Sequence, residues 1–279
     1  MSALTTKLVW SVNADTLKIT SFIMILKGKK ILIMGVRNKW SIAWGVAQSA
    51  IENGAEVIFT HNTPESGEKT EKLIKDIPGA KTYACDVSSD ESIKNAFETI
   101  LKENGKIDGI LHAIAHANTE DLRNDFINTT RDGFAHATDV SSYSIIAVSR
   151  IAKEVGLLKD NGSIVALSYY GAEKSVEGYN VMGVAKAALE TSIKYLAKDL
   201  GKSGIRINAI SAGPVKTLSA KGIKDFGNIL ELVEKKAPLH KNITIKDVGD
   251  TASFLFSDMS KAITAEVIHV DSGFSSVGV

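Results

Sequence analysis

The segment "KKILIMGVRNKWSIAWGVAQ", residues 29–48, passes from a short apolar run through a glycine into a helical pattern. The apolar run predicts a buried strand, and Gly35 lies where that strand would turn. Ser41 and Ile42 then begin a helix. Because a helix N-terminus offers free N–H groups and partial positive charge, this turn predicts a pyrophosphate site formed by Gly35, Ser41 and Ile42. The spacing is not GxGxxG, so the turn alone is a weak signal.

The same alternation of strand and helix continues along the chain. The predicted strands are "KKILIMG", "AEVIFT", "KTYACDV", "IDGILHAIA", "GSIVALS", "IRINAIS" and "AEVIHVD". The predicted helices are Ser41 to Asn53, Glu65 to Asp76, Asp90 to Asn104, Arg131 to Val155, Asn180 to Gly201 and Lys246 to Asp258. This order predicts an α/β protein with a single Rossmann-type, doubly wound domain over residues 24–279: a seven-stranded parallel sheet with helices on both faces.

Composition excludes several classes of protein. The chain has 279 residues, 33 basic against 32 acidic, for a net charge of +1, which favours neither a nucleic acid nor a membrane surface as a partner. Its single cysteine, Cys85, excludes a disulfide framework and fits a reducing, cytoplasmic compartment. No histidine spacing predicts a metal site. Residues 1–23 show no sustained period, and we interpret them as an extension, disordered or non-native.

The ends of the second, third and fourth strands predict an adenosine site. Asn62 can bind the ribose hydroxyls and Glu65 would repel a 2′-phosphate; no Lys or Arg lies between Thr60 and Gly67, so NADH is favoured over NADPH. Asp86 can accept a hydrogen bond from the adenine amino group while the Val87 backbone contacts the ring edge. The alternative for Asp86 is a helix N-cap, for which the following serines are better placed. Ile114 would pack against a ribose or ring.

The fifth strand leads into "SYYGAEKSVEGYNVMGVAKAALE", residues 168–190. Tyr179 and Lys186 lie two helical turns apart, so their side chains share one edge of the predicted helix. They are a candidate proton donor and its neighbouring cation, against the alternative of ordinary surface residues.

This stretch resembles the short-chain dehydrogenase/reductase superfamily, and specifically the bacterial NADH-dependent enoyl-[acyl-carrier-protein] reductases. Most of the superfamily carries Tyr-x3-Lys, whereas this branch has six residues between tyrosine and lysine, as here. Other matching pieces are "GVRNKWSIAWGVAQ", "CDV", "DVSSYS", "RINAISAGPVKTL", "GIKDF" and "EVIHVDSGF". The resemblance runs from about Met24 to Phe274 and implies the last reduction of the fatty-acid elongation cycle, acyl carrier protein as the substrate's carrier, and a homotetramer.

The resemblance also implies roles for individual residues. Tyr179 would polarise the thioester oxygen, and Lys186 would hold the nicotinamide ribose and make the tyrosine more acidic. Tyr169 either lines the acyl pocket or assists proton delivery, and Tyr170 packs. Ala117 and Met182 would line the substrate site together with Tyr169 and Tyr179.

The segment after the sixth strand completes the predicted cofactor site with Val215, Thr217, Leu218 and Ser219. Residues 216–238 then form an amphipathic stretch, which either covers core or closes as a lid over the acyl chain. Its lysines at 216, 221 and 224 either meet the acidic carrier protein or are simply solvated.

Two other functions compete with this one. A carbonyl or alcohol oxidoreductase of the same superfamily would need Tyr-x3-Lys, but position 183 is glycine. A non-catalytic NAD-binding scaffold would be expected to lose the tyrosine or the lysine, and both are present.

Overall fold

The predicted strands form one parallel sheet in the order β3-β2-β1-β4-β5-β6-β7. The structure is a computed structural model, and it describes residues 24–215 and 226–278. The strands are β1 Lys30–Met34, β2 Glu56–His61, β3 Thr82–Ala84, β4 Ile107–His112, β5 Leu158–Tyr169, β6 Arg206–Ala212 and β7 Val267–Val270. The predicted fold class is therefore confirmed.

Helices cover both faces of the sheet. They are α1 Ile42–Glu52, α2 Pro64–Ile74, α3 Asp90–Asn104, α4 Thr119–Arg123, α5 Arg131–Thr138, α6 Ser144–Glu154, α7 Asn180–Leu200, α8 Phe226–Lys236 and α9 Ile245–Phe256. Side chains of a strand alternate between faces, and β1 shows the result. Ile31 and Ile33 enter a core shared with α1 and α9, whereas Leu32 and Met34 enter one shared with α3, α6 and α7.

The strand order places a switch point between β1 and β4. From β1 the chain proceeds outward through β2 and β3, then returns to pair β4 with the other side of β1. The connections after β1 and β4 therefore run to opposite sides, which opens a crevice at the carboxyl ends of the two strands.

The predicted helical segment from Arg131 to Val155 is confirmed, but it is not one uninterrupted α-helix. The segment is helical throughout, but a π-helical turn, Asp139–Tyr143, separates α5 from α6. A π turn adds a residue to the helix and shifts the side chains that follow. Here the buried Ser141 hydroxyl accepts a hydrogen bond from the His116 N–H at 2.9 Å and donates to the His116 carbonyl at 3.0 Å. The short helix α4 was not predicted.

Two predicted segments lie outside the described residues. They are the extension, residues 1–23, and the first part of the proposed lid, residues 216–225. The rest of that lid contains α8, whose Val233 packs in a small cluster with Ala237 and Phe274. Among the residues that the structure describes, no helix is both long enough and apolar enough to cross a bilayer.

Candidate active site

The carboxyl ends of β1, β2 and β4, with the residues after β3, surround a cleft of about 590 Å³. Five predicted cofactor residues line it together: Gly35, Asn62, Asp86, Val87 and Ile114. They come from four separate strand ends, so only the parallel arrangement of the sheet brings them to one place.

Gly35 determines how closely a ligand can approach the first turn. Its φ is +93°, in the left-handed region, and a β-carbon there would collide with the Ala113 carbonyl. Ser41 caps the N-terminus of α1 with its backbone but makes no side-chain cap hydrogen bond, because its hydroxyl donates to the Asn38 carbonyl at 2.7 Å. Ser41 and Ile42 do not line the cleft itself. The turn therefore lets a ligand approach the backbone closely at Gly35, and the pyrophosphate site stays a prediction.

Asp86 is not a helix cap. Its Oδ1 accepts hydrogen bonds from the Ser88 N–H at 3.0 Å and the Ser88 hydroxyl at 2.7 Å, while Ser89 caps α3. Cys85 beside it is buried, and burial raises the pKa of its thiol to about 12. It is therefore a small core residue and not a reactive thiol.

Two basic side chains in the cleft were not predicted from the sequence. Arg37, from the first turn, and Lys69, from α2, both line it. The stretch from Thr60 to Gly67 contains no base, but one more turn of helix brings Lys69 to the same cleft as Asn62. Lys69 Nζ donates to Glu65 Oε1 at 2.6 Å, so the positive charge of Lys69 is paired within the cleft.

Tyr179 and Lys186 occupy the start of α7, at the carboxyl end of β5. Tyr179 is the N-cap residue, and Lys186, 5% exposed, donates from Nζ to the Leu167 carbonyl at 2.6 Å. Burial lowers the pKa of Lys186 to about 8, although Glu190 opposes this shift. The sequence predicted a more acidic Tyr179, and this is wrong: burial of its hydroxyl raises its pKa, and Tyr169 and Glu190 add to the effect.

The other tyrosines separate into two groups. Tyr169 lies against Tyr179 with ring centroids 4.7 Å apart, and burial raises the pKa of Tyr169 to about 12. Tyr170 packs on Phe274 at 5.7 Å, which confirms the predicted packing role. Met182 is buried, and its sulfur lies 3.6 Å from the Ser141 hydroxyl oxygen.

The described residues include only some of those predicted for the substrate side and for the end of the sixth strand. Ala117 is half-buried and follows His116 at the mouth of the cleft. Val215 packs at the edge of one core, whereas Thr217, Leu218 and Ser219 lie outside the described residues.

Two histidine contacts were likewise not predicted. His112, at the end of β4, is buried, with Nε2 2.8 Å from Ser144 Oγ. Burial first, and the Lys186 charge second, lower its pKa to about 3, so this histidine is neutral at pH 7. His116 Nδ1 lies 2.8 Å from His136 Nε2 at the cleft. The burial of His112 could have been predicted only from its position within an apolar strand. Nothing in the sequence predicts the contact between His116 and His136.

Comparison with known proteins matches residues 35–275 to the family model described as "Enoyl-(Acyl carrier protein) reductase". The "Enoyl-[acyl-carrier-protein] reductase [NADH] FabI" of Bacillus cereus is 49% identical over 260 residues, covering 91% of this chain and 99% of the relative. A Staphylococcus aureus relative named as the NADPH enzyme is 51% identical, covering 90% of this chain and 98% of its own.

Solved structures agree. A crystal structure of the Bacillus cereus enoyl-acyl carrier protein reductase with NADP⁺ and indole naphthyridinone has a TM-score of 0.89 and 49% identity, covering 91% of this chain and 99% of that one. The NADH enzyme of Aquifex aeolicus has a TM-score of 0.87 and 49% identity over 91% of this chain and 99% of its own.

Proposed function

The chain belongs to the enoyl-(acyl carrier protein) reductase family, and we infer that it is an NADH-dependent enoyl-[acyl-carrier-protein] reductase. It reduces the trans-2 double bond of enoyl thioesters at the last step of fatty-acid elongation. One observation carries this function: the rings of Tyr169 and Tyr179 pack together at the carboxyl end of β5, and Lys186 Nζ donates to the Leu167 carbonyl of the same strand end. The ends of β1, β2 and β4 in the same sheet form the cofactor cleft.

The residues present fit a dinucleotide. The turn at Gly35 leaves no room for a side chain, and the N-terminus of α1 behind it has no side-chain cap. Asn62 and Asp86 would hold the adenosine, with Val87 and Ile114 against its rings and Val215, Thr217, Leu218 and Ser219 near the nicotinamide. NADH supplies the hydride, and Lys186 would hold the ribose hydroxyls that orient it.

Tyr179 provides the electrostatic part of the reaction. Delivery of a hydride to Cβ of the enoyl group moves negative charge onto the thioester oxygen. Because burial raises the pKa of Tyr179, its hydroxyl stays protonated and can donate a hydrogen bond to that oxygen. Tyr169, Ala117 and Met182 would line the acyl site.

An alcohol oxidoreductase is disfavoured by Ser168 as well as by the tyrosine–lysine spacing. The resemblance to the short-chain dehydrogenase/reductase superfamily implies that alcohol-oxidising members would use a catalytic serine at this position. Here the Ser168 hydroxyl donates its hydrogen bond to Glu190 Oε1 of α7 at 2.5 Å, so its proton is not directed at a substrate.

The cofactor, carrier and assembly belong to the same proposal. NADH is the preferred donor over NADPH, supported by the pairing of Lys69 with Glu65 in the cleft. The substrate arrives on acyl carrier protein, the protein works in the cytoplasm, and it assembles as a homotetramer. The exposed aromatic side chains of Tyr143 and Tyr195, the latter 71% exposed beside the α6–α7 layer, support contacts between copies. Residues 216–238 would act as the substrate lid.

The decisive assay follows NADH oxidation at 340 nm with a crotonyl thioester as substrate. Matched reactions use a ketone in place of the thioester and NADPH in place of NADH. We expect turnover with the enoyl thioester and none with the ketone. Turnover of the ketone alone would support the alcohol oxidoreductase instead, and absence of any turnover with intact NADH binding would support a scaffold.

A further inference from the structure

The buried ammonium of Lys186 needs a compensating charge. A lysine this buried tends to lose its proton, because the charged form is poorly solvated. Its hydrogen bond to the Leu167 carbonyl supplies a dipole but no charge. The nearby His112 imidazole is neutral and therefore contributes no negative charge.

Glu190 lies one helical turn after Lys186 on α7, so the two side chains share a face. Both are tied to consecutive residues of β5: Lys186 Nζ to the Leu167 carbonyl at 2.6 Å, and Glu190 Oε1 to the Ser168 hydroxyl at 2.5 Å. The strand thus fixes the carboxylate relative to the ammonium, on which the carboxylate acts through its charge.

We propose that Glu190 is a positioning residue for hydride transfer, acting through Lys186, and that Ser168 holds its carboxylate for this task. The inference rests on the proposed function, in which Lys186 binds the nicotinamide ribose. A charged Lys186 donates to ribose hydroxyls, whereas the neutral amine is a weaker donor and leaves the ring less well oriented.

Three other titratable groups surround Glu190. Lys186 precedes it on α7, Glu173 follows β5, and His269 lies on β7. His269 Nε2 and Glu173 Oε1 are 2.7 Å apart and form their own pair toward the surface. Burial raises the pKa of Glu190 and the bond from Ser168 lowers it, with smaller effects from the other three groups. Conversely, Glu190 raises the pKa of Lys186 against the effect of burial.

The test is the pH dependence of kcat/KM with crotonyl-coenzyme A and NADH, from pH 6 to 9.5. Glu190→Gln keeps the size and the hydrogen bond to Ser168 but removes the charge. We expect its basic limb to shift down by about one pH unit, so that activity at pH 8.5 falls by about tenfold. NADH affinity, measured by fluorescence, should show the same displaced limb.

Two variants refine the result. Glu190→Asp keeps the charge and should retain most of the wild-type limb, which a merely structural role would not predict. Ser168→Ala keeps the Glu190 carboxylate but removes its hydrogen bond to Ser168, and the basic limb should shift less far in the same direction. The matched control is Glu98→Gln, which removes an exposed glutamate four residues after Lys94 in α3 and should leave the limb unchanged.

The proposal is overturned if the basic limb of the kcat/KM profile of Glu190→Gln coincides with that of the wild type. It is also overturned if this limb shifts as far in Glu190→Asp as in Glu190→Gln. If Glu190→Gln does not fold, Ser168→Ala provides the test: an unshifted basic limb of its kcat/KM profile would also overturn the proposal. A wild-type protein that binds NADH but reduces no enoyl thioester would refute the proposed function instead. In that case the pH profile of NADH binding still decides the role of Glu190.

Discussion

The rings of Tyr169 and Tyr179 meet edge to face, with centroids 4.7 Å apart and planes inclined by 62°. The contact joins the last residue of β5 to the residue that caps α7. Burial raises the pKa of both hydroxyls, so each stays protonated at neutral pH and is chemically able to donate. Their difference in role must therefore come from position, since Tyr179 begins the helix that carries Lys186.

Tyr179→Phe should lower kcat by about 100-fold or more, which is the usual effect of removing a donor to a developing oxyanion. NADH affinity should change by less than about twofold, since the ring contact with Tyr169 is kept. Steady-state kinetics and fluorescence titration measure the two quantities. Tyr169→Phe is the matched comparison, and as a pocket wall it should retain kcat within about tenfold. Equal losses in both variants would place Tyr169 in proton transfer.

Gly171→Ala should impair catalysis through Tyr179. A β-carbon at Gly171 would lie 2.5 Å from Tyr179 Cδ1 and 3.2 Å from Tyr169 Cδ1, so the rings must move. We expect kcat to fall by about tenfold, because displacement of a catalytic group by a fraction of an ångström has effects of this size. Gly201→Ala is the control, since a β-carbon there meets nothing within 4 Å. Unchanged kcat in Gly171→Ala would mean that the position of the Tyr179 ring is not critical.

Glu65→Gln should improve the use of NADPH. The substitution releases Lys69, whose Nζ now lies 2.6 Å from Glu65 Oε1, and removes a negative charge from the cleft. We expect kcat/KM for NADPH to rise by about fivefold at low salt, with less gain at high salt because both groups are exposed. The value for NADH should stay constant. Glu65→Gln combined with Lys69→Gln should lose much of the gain; a gain that persists in full would assign it to Arg37 or to the lost repulsion alone.

Acid should destabilise the fold in part through His112. Its pKa is about 3 in the folded protein against about 6.5 in the unfolded chain, so the unfolded state binds the extra proton as pH falls. The stabilisation is complete above about pH 6.5 and is lost progressively below it. Between pH 7 and 5 this one group should lower the free energy of unfolding by about 2 kcal/mol.

Urea unfolding of the wild type and of His112→Gln at both pH values measures this effect. Glutamine can keep a hydrogen bond to Ser144 but does not titrate. The variant should therefore lose about 2 kcal/mol less than the wild type over the interval. Parallel losses in the two proteins would show that His112 is not the responsible group.

Local patterns were sufficient for most of the fold. Apolar runs with glycine turns identified all seven strands, and caps such as Ser89 allowed α3 to be bounded as Asp90–Asn104. The π turn around Ser141 was not predictable, because it depends on a contact with His116, on a different element. The substrate lid over residues 216–238 stays a prediction, because residues 216–225 lie outside the described part of the chain.

The sequence by itself determined the sheet, the cleft at its carboxyl edge and the placement of Tyr179 and Lys186 seven positions apart at the start of one helix, because strand periodicity and helical spacing are local properties. Only the tertiary structure decided the ionisation of that pair. Burial raises the pKa of the tyrosine and lowers that of the lysine; Glu190 shares α7 with the lysine, whereas Ser168 and His112 come from β5 and β4. Burial and charge at a point depend on which distant segments meet there, and no single segment encodes that.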